Sequence, residues 1–222
     1  MLRLLLGIFL LSSLLFSCNK GSDYQTSLFH EDGRSKPKVC FVSVFNPDLT
    51  QDTDLVSKKI PYQVFESLAK KNSLSLTNIE TLDSNILALA KASFNLFQSE
   101  QKILKETFQG KEFVVFTELI LYDLHQKPLK NTFLDKITPS LELSMSMRVQ
   151  VFDIRHTKPT IILQEIITQN HLISNLPQKG FGKIPFMQKI SFELSLMGIA
   201  HSQFCKEVSK QIQDYILLAQ NH

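Results

Sequence analysis

The chain predicts an α/β (α+β) fold: a mixed sheet with early βα units, a late antiparallel meander and a packed C-terminal helix. Three stretches carry this expectation. Residues 39–45 are apolar on both alternating faces, as in a centrally buried strand, and a four-residue apolar rhythm follows them. Leu141, Leu143, Met145, Met147, Val149 and Val151 alternate with Glu142, Ser144, Ser146, Arg148 and Gln150. Near the C-terminus Phe204, Val208, Ile212 and Ile216 form a stripe opposite Lys206, Lys210, Gln213 and Asp214.

Taken in order, the first strand ends at Asn46-Pro47-Asp48. Val56, Ile60, Val64 and Leu68, with Phe65 beside them, predict a helix that kinks or starts at Pro61, whose nitrogen cannot donate to the ladder. Residues 74–77 alternate and predict a short strand. Asp83 or Ser84 caps a helix carrying Ile86, Leu87, Ala90 and Phe94; Ser99 restarts one with Ile103, Leu104 and Phe108 inward, and Gly110 closes it. Residues 112–124 read as the longest buried strand. Strict alternation over 141–151 means one packed and one wet face, the mark of an antiparallel strand. The chain turns over 153–159, and the Ile-rich residues 160–168 return as a β-branched strand. A loop with Pro177, Gly180 and Gly182 leads to the final helix.

The length of 222 residues and 43% hydrophobic content suit one domain with a substantial core, residues 39–222. A formal charge of +3 is too small an excess to imply nucleic acid, which needs many clustered Lys and Arg. The pairs Lys58-Lys59 and Lys70-Lys71 fall in helical stretches and read as solvated faces.

The first residues have a different character. Arg3 is a short positive start, residues 4–16 carry no charge, and Ser17-Cys18 follows. The apolar run is short for a bilayer core of ~30 Å and reads as a signal peptide, residues 1–17. A cysteine directly after the cleavage position resembles the lipobox of bacterial lipoproteins, although Phe16 departs from the small or β-branched residue usual there. The resemblance implies that the Cys18 thiol is acylated, palmitate included, and anchors the chain to a membrane. Asn19 follows; in lipoprotein sorting an Asp there favours inner-membrane retention, so the expectation is the periplasmic side of the outer membrane. Residues 19–38 are polar and read as a flexible tether of about 20 residues, spanning at most ~70 Å. Cys40 and Cys205 are left as candidates for a disulfide in an oxidising periplasm, but both have apolar surroundings where a free buried thiol is common.

Residues 113–122, the strand ending Val149-Gln150-Val151-Phe152-Asp153, the turn Ile154-Arg155-His156-Thr157-Lys158 and the returning Ile-rich strand together resemble a known superfamily. It groups curli-secretion lipoproteins, penicillin-binding-protein activator lipoproteins and the TolB amino-terminal domain. Lys158-Pro159 stands where a glycine is often found in that turn. The resemblance implies a protein-binding scaffold or regulator in the cell envelope. The curli branch implies an alternative, a subunit of an oligomeric secretion channel, but the connection from Gln126 to Ser140 is short and charged for barrel strands.

Sites for chemistry are few. The chain has no His-Glu-x-x-His, Gly-x-Ser-x-Gly or Cys-x-x-Cys, so an envelope hydrolase lacks a recognisable site and no catalytic residue or cofactor is implied. His30-Glu31-Asp32 is a poor metal set, three neighbours with no second cluster. Gly180-Phe181-Gly182-Lys183 lacks the spacing of a phosphate loop. His201 and Cys205 have the i, i+4 spacing of a thiolate pair, although Cys205 adjoins the apolar stripe. Glu118 and Asp123 are carboxylates in or near a buried strand, where a turn-capping role is the plainer account.

Overall fold

Strand β1 (Lys38–Val44) lies inside the sheet because both of its faces are apolar: Val39 and Phe41 point one way, Cys40, Val42 and Val44 the other, and all are buried. A computed structural model describes residues 27–44, 54–79, 101–126, 140–174, 192 and 194–221. Helix α1 (Asp54–Lys70) leads to β2 (Ser75–Ile79), α2 (Gln101–Thr107) precedes β3 (Phe113–Gln126), and β4 (Ser140–Asp153), β5 (Thr160–Ser174) and α3 (Leu196–Gln220) follow. The sheet order is β2-β1-β3-β4-β5. β1 runs parallel to β2 and β3, whereas β3-β4-β5 is an antiparallel meander. This is the mixed α/β class that the sequence predicts. The helix predicted from residue 83 lies outside the described residues.

Two cores sandwich the sheet. On one face α1 and α3 pack Ile60, Val64, Leu68, Phe204, Val208 and Ile212 onto Phe41, Val115, Met145, Met147 and Val149. On the other, Leu104 and Phe108 from α2 and the turn after it cover Cys40, Val42, Val114, Phe116 and Phe152. Phe116 meets Phe108 and Phe152 edge-on, with ring centroids 6.0 and 5.9 Å apart. Gly110, at φ 81°, ends this segment in a conformation that side chains other than glycine's rarely adopt.

The structure changes several expectations. α1 starts at Asp54, so of the two alternatives Pro61 is not its first residue; it occupies an interior position. β4 does not have a wholly wet face. Ser144, Ser146 and Gln150 are 8, 5 and 1% exposed, because they sit on a central strand between cross-strand neighbours at least as long, such as Leu121 and Thr168 beside Ser146 and Phe116 and Gln164 beside Gln150. Cys40 and Cys205 are both free. They belong to the two separate cores, with the sheet between them, and do not pair.

Part of the segment that reads as a tether is folded. From Ser27 the chain is folded: Phe29 bridges Ser35, Lys36 N donates to Leu28 O at 2.9 Å, and Gly33 turns at φ 82°. Asp32 accepts from Arg34 N at 3.1 Å and Arg34 Nε at 2.7 Å. Lys36, 2% exposed, donates to Asn72 Oδ1 at 2.6 Å. Local turn bonds and this anchor order a segment whose few apolar residues read as a linker.

At the same end of the sheet Arg155 ties the β4–β5 turn to the C-terminus of α3. Its Nη2 donates to Asp153 Oδ2 and to Ala219 O, both at 2.7 Å, and its guanidinium lies 4.9 Å from the centroid of Phe113.

Candidate interaction surface

The distal halves of β3, β4 and β5 present a mixed polar and apolar outer face, opposite α1 and α3. A bulge in β3 creates it. Leu119 pairs with Met147 and Leu121 with Ser146, so Ile120 is the extra residue and the alternation flips beyond it. Leu121 and Asp123 therefore join Glu118 on the outer face, while Tyr122 and Leu124 turn toward the helices. Leu121, Ile166 and Leu172 are 41, 53 and 58% exposed. Around them Arg148 Nη1 donates to Glu118 Oε2 at 2.9 Å, and the Ser146 and Thr168 hydroxyls share a hydrogen bond of 2.8 Å. At the far end His125 lies 3.3 Å from Asp123 and 3.4 Å from Glu142. β5 ends the strand order, so its outer backbone edge borders the same face.

The sequence-nominated carboxylates are thus placed: Glu118 in an ion pair, Asp123 beside an exposed histidine. No group of three or more metal-ligating side chains occurs among the described residues, His30-Glu31-Asp32 included. Asp32 instead bonds Arg34, which holds its carboxyl below the usual range. Cys18 and residues 180–183 lie outside the described residues.

His201 and Cys205 are both buried, on α3. Burial pushes the Cys205 thiol up to about 12, and its Sγ lies 3.7 Å from Ile60 O. Burial, then the nearby charges of Lys59 and His171, push His201 down to about 4. A protonated thiol and a neutral imidazole are the inactive forms of the pair suggested by their spacing. His201 Nε2 instead lies 3.1 Å from Tyr122 Oη, with the Tyr122 and Phe192 rings edge-on at 5.6 Å. Alternation along β3 places Tyr122 on the outer face with Glu118; only the bulge brings it to His201. Beside this cluster an open cleft of about 500 Å³ lies between β5 and α3, lined by Gln169, His171, Gln203, Lys206 and Glu207 among others. No described helix is long and apolar enough to cross a membrane.

The five-stranded mixed sheet with one bundled face and a long C-terminal helix defines a mixed α/β domain. Residues 25–220 match the family of unknown function DUF7499, and the chain belongs to that family. Among solved structures it is similar to the hypothetical protein CT253 from Chlamydia trachomatis, at 22% identity and a TM-score of 0.58, over 81% of this chain and 98% of that one. Looser likenesses include a minor lipoprotein from Acinetobacter baumannii, at 13% identity and TM-score 0.35 over 78% of this chain and 91% of that one. Lipoprotein GNA1162 from Neisseria meningitidis is another, at 10% and 0.36 over 71 and 96%. Several of the structural neighbours are bacterial lipoproteins. No curated protein matches the chain.

Proposed function

We propose that this protein is a non-catalytic lipoprotein of the cell envelope that binds another envelope protein through the outer face of β3–β5. In this reading Cys18 is acylated and holds the domain at the periplasmic side of the outer membrane, with Asn19 after it favouring the outward choice. The observation that carries the binding role is the exposed trio Leu121, Ile166 and Leu172 beside β5, the edge strand among the described residues. Apolar side chains set among hydrogen-bonded polar ones are the composition of a recognition surface, and an edge strand offers backbone groups to a partner. The chain order of strand, helix and late hairpin turning at Asp153, closed by a C-terminal helix, supports membership of the superfamily of curli-secretion and penicillin-binding-protein activator lipoproteins. A non-catalytic role is supported by the inert states of His201 and Cys205.

The test is substitution on that face. In cells treated with a general crosslinker, wild type is expected to co-purify with a specific envelope protein. Ile166→Lys with Leu172→Lys should abolish that product while stability falls by only about 1 kcal/mol, since both side chains are largely exposed. An unchanged product from the doubly substituted, folded protein would refute the assignment of the surface.

A further inference from the structure

We infer that the end of the domain carrying the 27–36 hairpin rests on the lipid surface, with Leu28 and Phe29 entering the headgroup region. This rests on the proposed acylation of Cys18 and specifies how the anchored domain is oriented.

Chain length supplies the first argument. The hairpin is folded from Ser27, so only nine Cα steps separate it from Cys18, at most ~32 Å at ~3.6 Å per residue. That is less than half the reach expected of a tether running to Lys38. Whatever path residues 19–26 take, the hairpin cannot leave the membrane by more than this.

The hairpin exposes apolar side chains. Leu28 and Phe29 are 55 and 57% exposed although they are consecutive and lie in an ordered turn. Large apolar side chains this close to a lipid anchor gain by insertion into the headgroup and acyl boundary.

Charge supplies the third argument. The topology brings the start of β1, the end of α1, the start of β3 and the β4–β5 turn to the same end as the hairpin. Lys38, Lys70, Lys71 and Lys158 are exposed there. Of the acids at this end, Asp32 is paired with Arg34, Asp153 with Arg155, and Glu112 accepts from Lys38 N; Glu31 and Asp214 are exposed, so four exposed lysines stand against two exposed carboxylates. Lysines close to an anionic leaflet are attracted within a Debye length, so charge and apolar contact act on the same end. The proposed recognition face, carried by the opposite ends of β3–β5, then lies at the end of the domain away from the membrane.

The chain contains no Trp, so a single introduced indole reports depth without background. The full chain with Phe29→Trp, and a second with Leu124→Trp at the far end of β3, are expressed with labelled palmitate. Each is reconstituted in vesicles of phosphatidylethanolamine and phosphatidylglycerol bearing brominated acyl chains. Insertion by ~5–10 Å puts residue 29 within range of the bromines, so its quenching should exceed that at residue 124 by roughly threefold or more. Lys38→Glu with Lys70→Glu and Lys71→Glu should lower it, as should high salt. Palmitate incorporation with equal quenching at both positions would overturn the orientation and leave the anchoring intact. Absence of label at Cys18 would overturn the anchoring and the inference with it.

Discussion

Replacing Arg155 by alanine should be among the most damaging single changes near the surface of this fold. The guanidinium makes charge-assisted bonds to both Asp153 oxygens, with Nε at 3.0 Å from Oδ1 and Nη2 at 2.7 Å from Oδ2. A third bond, to Ala219 O, closes the last turn of α3. Asp153 is 4% exposed, so the substitution leaves a buried carboxylate without its guanidinium partner, keeping only the backbone N–H of residue 155. Breaking a buried ion pair costs ~3–5 kcal/mol, but the Arg155 side chain is a quarter exposed, so water reaches the site and ~2–3 kcal/mol is the better figure. For a domain of this size that lowers Tm by roughly 5–10 °C. Arg155→Lys should recover only part, because an ammonium cannot make the bidentate contact. Burial works to raise the Asp153 pKa, yet the hydrogen bonds and charge of Arg155 outweigh it and hold the group below its ordinary value. A depressed carboxylate contributes stability that is present above its unfolded pKa and lost as pH falls through the folded one. Denaturant melts of wild type and Arg155→Ala should therefore differ most near neutrality and converge in acid. A difference of under ~0.5 kcal/mol at neutral pH, the size of an ordinary surface change, would refute this account of the turn.

His201 and the thiols give two further tests. His201 is held neutral by burial, with its pKa down to about 4. The unfolded chain binds a proton there below ~6.5 and the folded one does not, so stability should fall between ~6.5 and ~4, by at most ~3 kcal/mol; His201→Gln should flatten that slope in melts across the range. Cys40 is pushed up by burial to about 11 and Cys205 to about 12, so both should resist a thiol reagent in the native protein and react on unfolding, with no disulfide on non-reducing gels. Rapid native labelling of either, or a disulfide between them, would contradict the two-core packing.

The elements were legible where the hydrophobic period was unambiguous. β1, β4 and α3 follow from their apolar patterns alone, since a period of two or of nearly four fixes which face is buried. What failed involves tertiary neighbours. Ser144 and Gln150 look solvent-facing by alternation, but their burial depends on flanking strands that are distant in sequence. The hairpin at residues 27–36 has a linker's composition, and its order comes from turn bonds and from Lys36 reaching Asn72 across the fold. Ile120 is indistinguishable from its neighbours as a residue type, yet as a bulge it decides that Tyr122 meets His201 and that Leu121 faces outward. The candidate surface was therefore only half readable: Glu118 and Asp123 were visible as unusual carboxylates, whereas the apolar residues beside them were not.

The most direct test of the proposed role is photocrosslinking from single positions in intact cells. A photoreactive phenylalanine analogue at Ile166 or Leu172, on the outer face, is compared with one at Tyr62, on α1 across the sheet. The account predicts one discrete crosslinked envelope protein from positions 166 and 172 and none from 62. A discrete product from position 62 alone, with none from the β5 positions, would contradict it.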